Sequence, residues 1–517
     1  MSTKAPSEFP VRTWSLGHLH HLAIVTSLTV AFIFLCATWS VLVPPLISPD
    51  ETAHFSTALM LADEYIWPAA GEARQILFVN RLESDELPLP AQDRATVGTL
   101  MADSPGFSNV LNQMTQHPPL YYLLVSSIFR AADVHEMRWD QALLLMRLVG
   151  VLLAVPLVPL AYATVRVVTQ SPTAGLIGAT TVFLVPGMNQ MVSMANNDTL
   201  AISLGALLAF LTASIWVGDR RKRVLLAAGL AFGLAGLAKG TLIVFAVPLL
   251  LALLFGRGHP KRLVLRIRDA VWPLGISLVA GQWWLLRNLV VSGTIQPYGY
   301  MLNDTKWDPG DGPDPIAFAL EFFRIANTSF WGWFGRVNVP LPAPLVLGLT
   351  CVCVGVIGFG LVRAARRERV TMIFLLVPSI LALILMIRVS WGAYVETSEY
   401  RGMHGRYFYP TVIGLITVSA LAATALWRSP PTRTVVALAV VGASAVMATL
   451  GPALTLLHFY GGIDLMAVSQ WAHQMSPISA EATVALTAMT AITGLLALAL
   501  VTSSVLRRDG GSSQSGG

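Results

Sequence analysis

The sequence predicts an all-α polytopic membrane protein with about twelve transmembrane helices, on three observations. Of its 517 residues 55% are hydrophobic and only 12% are charged, about half the charged content of a soluble domain, which is roughly 25%. Apolar runs long enough to cross a bilayer, about 17 to 25 residues, recur along the whole chain, and the mean hydropathy is +0.64. Charge is sorted between the connecting segments, basic in some and acidic in others. A chain so poor in charge cannot cover a soluble globule of this size with polar surface. A soluble enzyme, a disordered protein and a secreted disulfide scaffold are all excluded.

The elements follow in order. After a short N-terminal segment, 1–20, the first apolar run covers 21–44. It is too long for a cleaved signal peptide and ends in no A-x-A-like site. A long loop, 45–117, follows. The segment 118–132 is apolar but short and carries Arg130 near its end, so it is expected to enter the membrane without crossing. Further runs cover 141–165, 173–188, 197–216, 222–238, 240–256 and 268–291, leading to a second long loop, 292–342. Runs at 343–364 and 371–388 precede a loop at 389–408. Runs at 409–427 and 433–457, a loop at 458–478 and a last run at 479–506 complete the membrane part. The organisation expected is a transmembrane module over 21–456, an outer loop and last span over 457–506, and a Gly/Ser-rich disordered tail over 507–517.

Sidedness comes from the basic clusters. Nearly half of the 34 basic residues lie in Arg220-Arg221-Lys222-Arg223, Lys261 to Arg268, Arg363 to Arg369, Arg428 to Arg433 and Arg507-Arg508. The positive-inside rule assigns these to the cytoplasm. Alternation then puts 45–117, 292–342, 389–408 and 458–478 outside, with most of the 28 acidic residues, and both termini inside. The net charge of +6 therefore reports membrane topology, and no nucleic-acid partner is expected. Cys36, Cys351 and Cys353 lie inside apolar runs with no CxxC or Cys/His cluster, so neither a disulfide nor a zinc site is expected.

The outer side holds the residues that carry chemistry. Ser48-Pro49-Asp50-Glu51-Thr52-Ala53-His54-Phe55 follows the first span directly. Ser48 is a good N-cap, Pro49 suits the first helical position and Glu51 completes a capping box, so a helix starting at Ser48 is expected. Asp50 and Glu51 diverge by about 100° on a helix, so one of them at most faces a given substrate atom. His54, four residues after Asp50, joins it either at a metal or in a plain helix-surface contact. Gln116-His117-Pro118-Pro119-Leu120-Tyr121-Tyr122 marks a helix start, because paired prolines begin a helix but cannot continue one. Its tyrosines serve either as an interfacial anchor or as a sugar platform. Asn196-Asn197-Asp198-Thr199 opens a span, where Asp198 is either an N-cap or a functional carboxylate at the membrane edge. Lys239, Arg287 and Arg406 are cations on the same side, suited to a phosphate or to lipid headgroups. Tyr298, Trp331 and Tyr407 add aromatic faces. Acid, base and cation on one side of a membrane suit a reaction with a lipid phosphate.

In order and spacing, PDETAHF, HPPLYY, NNDTL, SFWGWFGRVN and GRYFYP resemble the C-type (GT-C) integral-membrane glycosyltransferase superfamily. Within it, PDExxHF, SFWGxFG and GRYxxP resemble a bacterial family of membrane proteins. The resemblance covers about residues 40 to 410. It implies a GT-C-like fold with a long first extracytoplasmic loop. The implied activity is inverting transfer of a sugar from a polyprenyl-phosphate donor to a cell-envelope glycan, lipid or protein acceptor. Membrane lipids are the other partners. The implied location is the outer face of the bacterial cytoplasmic membrane. In that superfamily an acidic residue at the start of the first outer loop is the base. It matches Asp50, with Glu51 as second choice, and the second acidic site matches Asp198. Lys239, Arg287 and Arg406 are the candidates for the donor phosphate. His54, His117, Tyr121, Tyr122, Asn197, Asp198, Tyr298, Trp331 and Tyr407 are the candidates for substrate contact. A divalent cation held by Asp50 and Asp198 is allowed but not required.

Two other readings stay open. A lipid-linked-glycan flippase or other transporter predicts ionisable groups near the bilayer midplane and broken helices in two repeats; no repeat is evident. A glycan polymerase or ligase shares the lipid substrate and the outer face.

Overall fold

The structure is a computed structural model and describes residues 16–64, 66–297, 307–308, 310–426 and 430–512. It is all-helical apart from two small antiparallel strand pairs. The chain runs through α1 (Leu16–Leu42), α2 (Glu51–Glu64) and α3 (Leu120–Ala131). It continues in α4 (Trp139–Ala154), α5 (Leu157–Thr169), α6 (Pro172–Thr181), α7 (Asp198–Val217), α8 (Lys222–Ala238) and α9 (Ala246–Phe255). Then come α10 (Leu263–Ser277), α11 (Trp283–Ser292), α12 (Pro315–Trp331), α13 (Ala343–Arg363) and α14 (Arg366–Thr397). The last are α15 (Val412–Leu426), α16 (Pro430–Tyr460) and α17 (Ala480–Ser512).

Each of the twelve apolar runs is helical. Among the described residues eight segments are long and apolar enough to cross a membrane: Leu19–Leu42, Trp139–Thr169, Asp198–Val217, Ala343–Arg363, Arg366–Thr397, Gly405–Thr424, Pro431–Tyr460 and Ala480–Arg507. The other four runs are short or interrupted, for local reasons. Pro186 restarts the helix after a break at Val185, α8 has 17 residues, and the run from Gly240 begins as a 3-10 turn. Pro273 and a π-helical turn at Leu278–Gln282 split the run of α10 and α11. α3, with 12 residues, extends about 18 Å against a hydrocarbon core of about 30 Å. It is too short to cross by itself.

α17 runs as helix to Ser512, into the segment expected to be disordered, and residues 513–517 lie outside the described residues. The last span packs along the first. Thr490 Oγ1 bonds Thr38 Oγ1 at 2.7 Å and donates to the Phe34 carbonyl at 3.0 Å, which fastens α17 along α1.

The long first loop folds as a layer with its own core. Phe55, Leu59, Val79, Val97, Tyr121, Tyr122, Phe129 and Trp139 are all fully buried in it. Arg74–Ile76 pairs antiparallel with Phe107–Leu111, and α2 packs on α3. Arg94, buried under this layer, donates to Asp140 at 3.0 Å and lies 5.4 Å from the Trp139 ring centroid.

Arg147 of α4 joins the layer to the bundle. Its Nε and Nη2 donate to the two carboxylate oxygens of Glu51 at 2.8 and 2.7 Å. Its Nη1 donates to the Ser40 and Val43 carbonyls, both at 2.8 Å, and Nη2 also reaches the Pro44 carbonyl at 3.1 Å. These acceptors include the unpaired carbonyls that a helix end leaves. Glu51 in turn accepts the Ala195 backbone amide at 3.0 Å. Both side chains are almost fully buried. Both carboxylate oxygens of Glu51 are thus taken up by Arg147 and the Ala195 amide, and the expected capping box with Ser48 does not form. Removing one member of a buried ion pair costs about 3–5 kcal/mol. Arg147→Ala and Glu51→Ala should therefore both lose most of the thermal stability measured in detergent. Arg324→Ala, which breaks an exposed pair with Glu321, should stay within about 1 kcal/mol of the parent.

Candidate functional site

Four segments bring four charged side chains together. Asp50 lies in the turn between α1 and α2, Asp198 is the first residue of α7, and Lys239 directly follows α8. Arg406 lies in the 3-10 turn Gly405–Thr411 that leads into α15. Two glycines allow that turn to approach. A Cβ on Gly205 of α7 would meet the Pro410 carbonyl oxygen at 2.2 Å, and one on Gly405 would meet the Ala326 carbonyl oxygen at 2.3 Å. Gly405 N also donates to Ser329 Oγ at 2.7 Å, and Tyr409 Oη donates to the Ser329 carbonyl at 2.9 Å. The turn is thus clamped between α7 and α12, with Arg406 projecting at the end of the bundle.

Acids and cations alternate in the cluster. Asp50 Oδ2 accepts Arg406 Nη2 at 2.8 Å, and Asp50 Oδ1 accepts Gln113 Nε2 at 3.0 Å. Arg406 Nε lies 4.0 Å from Asp198 Oδ2, and Lys239 Nζ donates to Asp198 Oδ1. Tyr407 lies beneath both cations, its ring centroid 5.6 Å from Lys239 Nζ and 5.5 Å from the Arg406 guanidinium carbon. Burial alone would raise the Asp50 carboxyl, yet Arg406, His54 and Lys239 together hold it down at about 2. Burial lowers His54 to about 4 and His117 to about 3. Both imidazoles are therefore neutral at pH 7.

Asp50 adopts φ +62°, the left-handed region that few residues other than glycine occupy, Asp and Asn being the most tolerant. α2 begins one residue later, at Glu51, and not at the expected Ser48 cap, whose hydroxyl is buried without a partner. The reason is that Glu51 is drawn to Arg147, which turns the chain and leaves Asp50 pointing away from α2. Asp198 is likewise no cap. Asn196 Oδ1 accepts the Thr199 amide at 3.3 Å in its place, leaving the Asp198 carboxylate for Lys239.

Other expected residues fall into two groups. His54 lies in the cluster, its Nδ1 2.8 Å from Tyr122 Oη and its ring stacked on that tyrosine. His117, Asn197 and Tyr407 also border the cluster. Tyr121 and Tyr122 are fully buried next to it. Arg287 is not gathered in. It is exposed on α11, folded over its neighbour Trp284 at 5.1 Å and bonded to Asn288. Trp331 is also elsewhere, buried in the bundle with Nε1 donating to Thr350 at 2.7 Å. Tyr298 lies outside the described residues. Among the described residues no group of three His, Cys, Asp or Glu side chains is placed to hold a metal. Asp50 and Asp198, the two proposed for a cation, face Arg406 and Lys239 instead.

Sequence reasoning missed Gln113, whose only signal was its place four residues before His117. It also passed over His404, which burial and Arg406 lower to about 4. Several buried polar atoms here have no hydrogen-bond partner: Arg406 Nε, His117 Nδ1, Asn197 Nδ2 and Ser48 Oγ. A buried polar atom without a partner costs about 1–3 kcal/mol. Several in one place mark where a polar ligand or water belongs.

A family model described as a predicted membrane protein (DUF2142) matches residues 32–415. Among solved structures, ArnT from Cupriavidus metallidurans in the apo state aligns at 15% identity and a TM-score of 0.44, over 96% of this chain and 78% of that one. The same protein bound to undecaprenyl phosphate aligns at 15% identity and a TM-score of 0.42, over 96% and 79%. The Archaeoglobus fulgidus oligosaccharyltransferase in the apo form aligns at 12% identity and a TM-score of 0.44. That match covers 89% of this chain and 56% of the archaeal one. No curated protein matches.

The cluster has a pH signature. The Asp50 pKa is depressed, so its ion pair contributes fully above the ordinary value of 3.8 and fades as pH falls toward about 2. Infrared titration should show the Asp50 carboxylate still ionised at pH 3, by difference against Asp50→Asn. Arg406→Ala should move that titration above pH 4, because burial then acts with less opposition.

Proposed function

This chain belongs to the DUF2142 family of predicted membrane proteins, and we propose that it is an inverting glycosyltransferase that uses a polyprenyl-phosphate sugar. The observation that carries the reading is the alternation Asp50–Arg406–Asp198–Lys239 at one end of the helical bundle. A general base needs a carboxylate within reach of an acceptor hydroxyl. A departing phosphate needs fixed positive charge where its own charge develops. The cluster holds both.

In this mechanism Asp50 takes the proton of the acceptor hydroxyl as its oxygen attacks the anomeric carbon. The bond from that carbon to the phosphate oxygen breaks, and Lys239 and Arg406 receive the phosphate charge. A single displacement inverts the anomeric centre. The resting Asp50–Arg406 pair makes Asp50 a weak base. Recruitment of Arg406 by the donor phosphate removes that restraint, so the carboxylate gains basicity when substrate is in place. Neutral His54 and His117, with Asn197, offer hydrogen bonds to sugar hydroxyls without adding charge. Arg406 and Lys239 supply the positive charge that a divalent ion would otherwise provide, so the reading needs no metal.

The location follows from charge. Asp198 begins α7, whereas Arg220 to Arg223 follow its far end. The positive-inside rule puts the basic end in the cytoplasm, which directs the Asp50 cluster outward in a bacterial cytoplasmic membrane. A transporter is disfavoured because Asp50, Asp198, Lys239 and Arg406 all sit at helix ends and not at midspan. The acceptor is a cell-envelope glycan, lipid or protein.

Polyprenyl phosphate should raise the melting temperature of the purified protein and neutral polyprenol should not. At a hundredfold excess over Kd the gain is about 2.7 kcal/mol. Arg406→Lys and Lys239→Gln should weaken it, and Arg287→Ala, away from the cluster, should not. Absence of any rise at saturating lipid overturns the proposal. With a competent donor, Asp50→Asn should keep lipid binding and lose about 10²–10⁴-fold in turnover. Turnover should survive chelation of divalent ions.

A further inference from the structure

The basic end of the bundle carries a groove that sugar transfer does not use. Trp216 lies 18 residues along α7 from Asp198, about 27 Å away by helical rise. Its ring stacks on Phe374 with centroids 4.2 Å apart and planes 4° apart, and its Nε1 donates to Thr371 Oγ1 at 3.2 Å. Beside it opens a groove of about 350 Å³, walled by Phe255, Arg257, Arg366, Arg367 and Val370.

Neighbouring arginines at this end have work within the protein. Arg220 donates to the carbonyls of Ala252, Leu253 and Gly256, closing the C-terminus of α9. Arg369 donates to the Val362 and Ala364 carbonyls at the end of α13, and Arg221 pairs with Asp219. The guanidiniums of Arg257, Arg366 and Arg367 have no such partner among the described residues. Arg257 is nevertheless well placed, its amide donating to the Trp216 carbonyl at 2.9 Å and its own carbonyl accepting Arg220 Nε at 3.2 Å. Among the described residues no carboxylate lines the groove, and nearby Glu368 accepts the Ala365 amide at 3.2 Å. Three like charges around one groove repel each other, and a bound anion relieves that repulsion.

The apolar walls say what kind of anion. Phe255 and Val370 are 57% and 45% exposed beside the arginines. A soluble anion has no use for such surface, whereas an acyl chain covers it. We propose that this groove holds an anionic phospholipid. Its phosphate lies among Arg257, Arg366 and Arg367, and its glycerol and upper acyl chain lie on Phe255 and Val370.

Native mass spectrometry of the full chain in neutral detergent tests this with phosphatidylglycerol, phosphatidylcholine and inorganic phosphate as probes. Phosphatidylglycerol should be retained and should raise the melting temperature, and phosphatidylcholine should do neither. Each arginine near an anionic headgroup strengthens binding about fivefold, so Arg366→Gln/Arg367→Gln should weaken retention about 25-fold. Both residues are exposed at a helix start and repel Arg257, so without lipid the variant should melt no lower than the parent. Arg257→Gln is the independent second variant. Equal retention of phosphatidylglycerol by parent and both variants overturns the proposal. Stabilisation by inorganic phosphate equal to that by lipid also overturns it, in favour of a soluble anion.

Discussion

The buried pair between Arg147 and Glu51 is the constraint on which the cluster of Asp50, Arg406, Asp198 and Lys239 depends. A guanidinium with five donors in a fixed fork can satisfy several acceptors at once. Here it ties the end of α1, the start of α2 and, through Glu51, the backbone at Ala195 into one junction. Asp50 is adjacent to Glu51, and Asp198 is three residues from Ala195. Holding Glu51 and Ala195 therefore sets the two carboxylates of the cluster opposite each other. The left-handed turn at Asp50 follows from this arrangement: strain of this kind persists where surrounding contacts over-determine the backbone.

The second constraint is the close approach of the Gly405–Thr411 turn to α7 and α12. Bare backbone at Gly205 and Gly405 is what lets Arg406 come within reach of both Asp50 and Asp198. The resulting site is nearly neutral, two carboxylates against two cations, so neither charge type is left exposed in a poorly solvating place. An incoming phosphate would redistribute these pairs instead of meeting a preformed excess of positive charge. The far end of α7 differs, because there three arginines face one groove without a carboxylate among them.

Much of this was legible from residue order. Apolar runs of spanning length and the short proline-led segment 118–132 all emerged as helices close to the expected bounds. Asp50, Asp198, Lys239 and Arg406 were singled out by type and by side of the membrane, and the structure brings these four together. Glu51 was indistinguishable from Asp50 by sequence, since adjacent carboxylates at a helix start look alike. Only Arg147, 96 residues away and read as part of an apolar run, separates their roles. Arg287 looked equivalent to Arg406 for the same reason: each is an arginine beside aromatics. Its helix leaves it exposed and turned onto Trp284.

What the sequence determined by itself is the solvent of each segment. Hydrophobicity and charge are properties of the residues, and a bilayer sorts them without reference to any partner. It therefore set the class, the helices and which connecting segments are basic or acidic. Tertiary structure alone decided which charged groups meet, because an ion pair needs close contact between residues here 41, 96 and 356 positions apart. Those contacts are set by helix packing, by two glycines and by one buried arginine, none of which carries a local signal.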